Sequence, residues 1–268
     1  MEKDVDNKVG DMIQKYLEKK GCVCNCVSVT RDNVHKEQLE AYADNGAQCV
    51  LVLGGDGTLI QVAGALSGKD IPLLGINLGT LGYLAEVEKD QIIPTLDRLI
   101  EDRYEIEERM MLSAETGGVM QDALNDIVIA RQGELRVLRY RVYVNDRCLT
   151  TYEADGIIVS TPTGSTGYNL SAGGPIVEPS ASIILMTPIC PHTLNTRTVV
   201  LSAEDEIRIE LIEGRHDRAD ACVSCDGAMS INLTAGDVVD IRKAEGVTKF
   251  IKMSREGFLE VLGRKLRA

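Results

Sequence analysis

The sequence predicts a doubly wound, Rossmann-like α/β unit over residues 1–104 and a β-rich unit over 105–250. A short apolar segment, 251–268, is expected to pack back on the first unit. Two observations carry this reading. Up to Arg103, helical periodicity alternates with short apolar runs bounded by glycine, the pattern of a parallel sheet with helices on its faces. Beyond Tyr104, strand signals and tight turns dominate.

In the first part, Val5, Val9, Met12, Ile13, Tyr16 and Leu17 recur at helical spacing, and Gly21 stops that helix. Residues 22–30 read as a strand, which places Cys22, Cys24 and Cys26 on one face. Residues 48–53 and 72–77 are apolar runs of the buried parallel kind, and 58–66 and 91–100 read as helices. A doubly wound unit ordinarily opens on a strand, whereas this chain starts almost directly in a helix. Either the fold begins differently here or its first strand is missing.

In the second part, residues 104–131, 135–151 and onward to 251 read mostly as strands. Asn145 and Asp146 sit in a hairpin turn, and Asp226 and Gly227 in another. Over residues 254–267, Phe258, Leu259, Val261, Leu262 and Leu266 supply an apolar set for packing against the first unit.

Composition narrows the function. The chain has 268 residues, enough to bury a core in each part. It has no Trp and two Phe, so the core is aliphatic. A formal net charge of −12 excludes a general binder of nucleic acid or of anionic membranes. An anionic ligand must then be held by local attraction, which backbone N–H groups in glycine-rich turns supply. No apolar run reaches the length of a membrane span, and residues 1–4 lead into no signal-peptide core, so a cytoplasmic location is expected. Of eight Cys, Cys222 and Cys225 form a lone C-x-x-C with only His216 nearby; reduced thiols rather than a metal site are expected.

Two glycine-rich stretches carry the chemistry. The first, Val52-Leu-Gly-Gly-Asp-Gly-Thr-Leu59, joins a buried strand to a helix. Its glycines let backbone approach a phosphate, at the strand end where open α/β sheets bind ligands. Asp56 among them can take a proton from an attacking hydroxyl or help to hold Mg²⁺; capping the next helix is the plainer alternative. Gly64-Ala-Leu-Ser-Gly-Lys-Asp70 imitates a P-loop but is one residue short and lacks the Ser or Thr that binds metal. The second stretch runs from Asp155 through Thr161-Pro-Thr-Gly-Ser-Thr-Gly-Tyr168 to Pro175, an apolar strand followed by a long loop rich in hydroxyls and free N–H groups. Tyr168 is placed to pack on a base or ribose.

With Asn77-Leu-Gly-Thr-Leu-Gly-Tyr-Leu84, Ala123-Leu-Asn-Asp126 and Thr187-Pro-Ile-Cys-Pro-His192, these stretches make five motifs in order. Together they resemble the NAD kinase family, of the bacterial ATP- or polyphosphate-dependent type. The resemblance implies an α/β domain and a β-sandwich domain, an oligomer (dimer or tetramer), and phosphorylation of the 2′-hydroxyl of the adenosine ribose of NAD by ATP with Mg²⁺. It implies Asp56 as catalytic carboxylate and Gly54, Gly55, Gly57 and Thr58 as the phosphate-facing turn. Asn125 and Asp126 match the family's Asn-Glu pair, which contacts the dinucleotide. Ser165, Thr166, Gly167, Tyr168 and Ser171 line its pocket; Asp155 and Ile189 lie toward the nicotinamide half, with Asp155 available to a neighbouring subunit. Two positions depart from the family pattern: Asp126 replaces Glu, and Gly167 stands where Ala is common. A lipid or sugar kinase with a Gly-Gly-Asp-Gly-Thr turn and a non-catalytic dinucleotide sensor are the alternatives. His192, Arg197 and Tyr83 are weaker candidates, read as a loop residue, a solvated cation and a packing residue.

Overall fold

The computed structural model describes residues 8–30, 33–79, 82–133, 137–193, 196–213, 220–228, 230–254 and 256–267. Val5, Thr80, Leu81, Leu135 and His216 lie outside them. The chain divides into two compact units, residues 1–108 with 248–268 and residues 109–247.

In the first unit the order is α1 (Lys8–Lys19), α2 (Lys36–Asp44), β1 (Val50–Gly54), α3 (Asp56–Ala65), β2 (Leu73–Asn77) and α4 (Ile92–Ile100). β1 and β2 pair in parallel, and Phe250, near the end of the chain's last strand, pairs in parallel opposite Leu73. Successive strand residues face opposite ways, and β2 is buried on both sides. Leu74 and Ile76 pack with Ile13 and Leu17 of α1 and with Ile92 and Leu96 of α4. Gly75 faces α3, where a Cβ would come within 2.5 Å of the Leu59 side chain. Helices therefore cover both faces, the doubly wound arrangement.

Residues 22–30 depart from expectation, because no strand forms there among the described residues. Cys22 and Cys24 pack against the core while Val23 between them is 92% exposed, but Cys26 is exposed, so the two-residue alternation holds only as far as Cys24. A strand also needs a neighbour to share its hydrogen bonds, and this segment has no ladder.

β3 (Glu105–Thr116) carries the chain into the second unit. There follow β4 (Val119–Ala123), β5 (Asp126–Arg131), β6 (Leu138–Val144), β7 (Arg147–Ala154), β8 (Gly156–Ser160), α5 (Tyr168–Ser171), β9 (Ile183–Ile189), β10 (Val199–Ser202), β11 (Ile207–Ile212), β12 (Ala221–Cys225) and β13 (Ile231–Leu233). β14 (Val238–Lys252) leads back, and α6 (Phe258–Lys265) closes the first unit. Within the second unit one layer runs β14-β11-β6-β7 and the other β10-β9-β8-β5-β12-β13. Tyr140, Val142, Ile207, Ile209 and Leu211 of the first layer share a core with Ile127, Ile129, Ile157, Val159 and Met186 of the second. This is a β-sandwich. Asn145 and Asp146 adopt left-handed φ of 49° and 61°, as a tight hairpin turn requires.

All five residues of β8 are buried. One face belongs to the sandwich core; the segment that follows, a 3-10 turn at Thr163–Thr166 and then α5, packs back on the strand. The stretch expected as a long loop is thus compact. Asn169 replaces a ladder at its centre: wholly buried, it donates to the Ser165 and Pro175 carbonyls and accepts from the Thr187 hydroxyl at 2.7 Å.

Candidate active site

In the first unit, Asp56 is the first residue of α3, directly beyond the carboxyl end of β1. Its carboxylate is half-buried and oriented by a second turn. Oδ2 accepts the Tyr83 N–H at 2.6 Å, and Oδ1 accepts the Leu84 and Ala85 N–H groups at 3.1 and 3.2 Å. A Cβ at Gly82 would fall 1.8 Å from Oδ1, so the approach of the two turns requires glycine there. Oδ2 takes one N–H among the described residues and retains lone-pair capacity for one more donor. Gly54 lies beneath the Thr58 hydroxyl, where a Cβ would meet Oγ1 at 2.6 Å. Gly55 accepts the Thr58 and Leu59 N–H groups. Gly57 is exposed with open space around it, so nothing in the folded chain accounts for glycine at that position. Tyr83 does more than pack: its N–H holds Asp56, and Lys265 of α6 stands 4.1 Å over its ring.

The second unit presents Asn125 and Asp126 at the entrance to β5. Asp126 is buried, and burial, then the neighbouring Asp226 charge, push its carboxyl up to about 7. The Asn125 Oδ1 is buried with no hydrogen-bond partner among the described residues, an orphan acceptor of the kind a ligand donor satisfies. Gly167 faces both: a Cβ there would stand 3.7 Å from the Asn125 amide nitrogen and 3.9 Å from an Asp126 carboxylate oxygen, and 3.2 Å from the Gly164 carbonyl. A methyl at 167 would occupy the space between them. Gly164 packs on the Asn125 carbonyl, 2.1 Å from where its Cβ would be.

The remaining expected residues divide. Thr166 is half-buried, and its hydroxyl bonds the Thr163 carbonyl at 3.4 Å. Tyr168, 46% exposed, and Ser171 lie on the surface of α5. Ser165 is wholly buried and spans the N–H and C=O of Val177, so it shapes the segment from within. Asp155 and Ile189 sit at the other end of β8: Gly156 pairs with Ile189, whereas Asp126 pairs with Ser160. At a rise of about 3.3 Å per residue the two ends are about 13 Å apart. Asp155 is there ion-paired with Arg131 at 3.0 Å. Arg197 bonds the Thr196 carbonyl, and His192 is exposed in its loop, its N–H bonded to the Glu153 carbonyl. Among the described residues, no group of three or more His, Cys, Asp or Glu is arranged to hold a metal ion.

Two contributors escape sequence reasoning. Arg109, buried on β3, donates to the Thr163 hydroxyl at 3.2 Å and brings a positive charge to a segment that has none of its own. A lone Arg that follows a glutamate-rich start to its strand gives no sign of its destination. Asp226 was legible only as a turn residue, yet its carboxylate accepts the N–H groups of Leu124, Asn125 and Asp126.

Comparison with known proteins agrees in both units. The model of the ATP-NAD kinase N-terminal domain matches residues 3–104, and that of the C-terminal domain matches 124–253. The NAD kinase of Agathobacter rectalis is 44% identical over 98% of this chain and 95% of its own length. Among solved structures, an NAD kinase from Archaeoglobus fulgidus in complex with ATP is 26% identical with a TM-score of 0.79, covering 97% of this chain and 95% of that one. The yeast NADH kinase complexed with NADH gives the same TM-score and identity over 82% of this chain and 67% of that one. The chain belongs to the ATP-NAD kinase family.

Proposed function

We infer that this chain is an NAD kinase that transfers the γ-phosphoryl group of ATP to the 2′-hydroxyl of the adenosine ribose of NAD, giving NADP and ADP. The observation that carries the reading is the Asp56 carboxylate, oriented by three N–H groups with Oδ2 able to accept one more hydrogen bond. Phosphoryl transfer has a loose transition state, so positioning and charge stabilisation do most of the work. The ribose hydroxyl donates to Asp56 Oδ2; as its oxygen bonds to the γ-phosphorus and the bond to ADP breaks, the proton passes to the carboxylate. The space around Gly57 admits a phosphate to the first turn of α3, where N–H groups face anions. Mg²⁺ enters with ATP as part of that substrate and neutralises charge on the donor phosphates.

The dinucleotide is held by Asn125, whose orphan Oδ1 accepts a hydroxyl or amino donor, by Asp126, and by Thr166, Gly167, Tyr168 and Ser171. Asp155 and Ile189 act on the nicotinamide half, and their remove from Asp126 along β8 suits service to a neighbouring copy in a homodimer or tetramer. No described helix is long and apolar enough to cross a membrane, and with the acidic composition this supports a cytoplasmic enzyme.

The test is NADP formation from NAD and Mg-ATP by the wild type and by Asp56→Asn. Turnover lost in the variant, with NAD binding retained, is the expected result. Full activity in the variant removes Asp56 from its role, and a wild type that phosphorylates a lipid or a sugar instead overturns the assignment.

A further inference from the structure

Asp226 lies outside every motif that carries the family resemblance, yet it organises the turn on which the dinucleotide contacts depend. Its Oδ2 accepts the Leu124 N–H at 2.6 Å, and its Oδ1 accepts the Asn125 and Asp126 N–H groups at 2.8 and 3.0 Å. Its own N–H returns a bond to the Asp126 carbonyl at 2.9 Å. The other carbonyls are taken from the opposite side. The Thr161 hydroxyl holds that of Leu124 at 2.6 Å, and the Thr161 N–H and Ser160 hydroxyl hold that of Asn125 at 2.9 and 3.2 Å. Every backbone polar group of the three residues is therefore engaged, while the Asn125 Oδ1 has no partner among the described residues.

We propose that Asp226 is a positioning residue for NAD: by clasping three consecutive N–H groups it fixes the direction in which Asn125 and Asp126 present their side chains to the dinucleotide. The inference rests on the kinase reading above. The geometry is costly to maintain, which argues against an incidental contact. Asp226 is held at a left-handed φ of 52°, with Gly227 following at 68°. Burial also pushes its carboxyl up to about 6 against the three N–H bonds that draw it down.

Asp226→Asn is the decisive variant, because Asn tolerates the left-handed conformation but offers one acceptor oxygen and sets an NH₂ against a backbone N–H. NAD affinity is measured by calorimetry without ATP for the wild type, Asp226→Asn, Asn125→Ala and the double variant, alongside KM for ATP and thermal melting. We expect Asp226→Asn to weaken NAD binding about tenfold with KM for ATP within about twofold, and the double variant to bind within about twofold of the weaker single, since both changes act through one contact. A lowered melting temperature with native NAD affinity, or losses that multiply in the double variant, overturns the proposal. Should Asp226→Asn fail to fold, Gly227→Ala strains the same turn and leaves the carboxylate in place. NAD binding weakened about threefold by that change supports the proposal, and unchanged binding refutes it. A wild type that binds no NAD defeats the kinase reading itself. With normal binding by the wild type and a loss in Asn125→Ala, a null result at residue 226 counts against the positioning role alone.

Discussion

Asp56 in the first unit and Asp226 in the second use their carboxylates alike. Each is followed by glycine, and each accepts three consecutive backbone N–H groups, from 83–85 and from 124–126, with one oxygen taking the first and the other taking the next two. Their surroundings differ. Asp56 opens a helix at the end of a parallel strand; Asp226, half-buried like Asp56, sits in a left-handed turn where burial pushes its carboxyl up to about 6. One clasp thus serves two ends. At the carboxyl end of a parallel strand, where open α/β sheets bind ligands, the clasped carboxylate is placed for chemistry; behind the Asn125 turn it aims its neighbours.

The largest expected effect comes from abolishing the first of these roles. Asp56→Asn keeps the shape of the side chain and removes the proton acceptor, so kcat should fall by about 10² to 10⁴ while NAD affinity stays within about threefold. An affinity loss matching the loss in kcat would make Asp56 a holder like Asp226 and erase the contrast. Next comes Gly82→Ala, which forces a methyl to within 1.8 Å of Asp56 Oδ1 unless the turns part. A folded protein with kcat reduced about 10-fold or more is expected, because a displaced reacting group loses alignment. Normal turnover would show that the clasp does not set the working position of the carboxylate.

A smaller effect, on stability, sharpens the second half of the comparison. The folded protein holds the Asp126 carboxyl up at about 7, above its ordinary 3.8, and so binds that proton more tightly than the unfolded chain does. The resulting stabilisation is complete below about pH 4 and is lost as pH rises through 7. Asp126→Asn removes this dependence. Its Tm should gain on the wild type across that window and exceed it by about 3 °C at pH 8, with weaker NAD binding. A constant Tm difference from pH 4 to 8 would contradict the buried-carboxyl account. The smallest effect concerns Lys265→Gln, which removes the cation from the Tyr83 ring. A partly exposed contact of this kind supports a change in kcat of at most about threefold. A larger loss, rescued by Lys265→Arg, would give α6 a part in setting Asp56.

Much of the fold was readable because its signals are local. The apolar runs at 48–53 and 72–77 mark parallel strands, partly buried in β1 and fully buried in β2, and Asn145-Asp146 marks a hairpin by tolerating left-handed φ. Residues 22–30 misled because alternation records which side chains turn inward, while strand formation depends on a hydrogen-bonding neighbour that the local sequence does not announce. In the candidate site, Asp56, Asn125, Asp126 and Gly167 stood inside motifs. Asp226 acts on residues about a hundred positions away, and Arg109 on Thr163, 54 positions on. Contacts at such separations are made by the sheets, and no spacing rule reaches them. Ser165 stood in a motif too, yet is turned wholly inward onto Val177, a reminder that a motif residue can support a site from behind.

β8 has a kinetic consequence. Its five residues are buried, it is paired on both sides by β5 and β9, and Ser160 and Thr161 at its end hold the Asn125 turn. The amides of such a strand exchange with solvent deuterium only when the surrounding sandwich opens as a whole. The floor beneath Asn125 and Asp126 should therefore be the slowest-exchanging part of the second unit, while the surface of α5, with Tyr168 and Ser171, exchanges early. A ligand arriving at the cradle meets a buried base and an exposed rim, so its binding should slow exchange in the rim and leave the base unchanged.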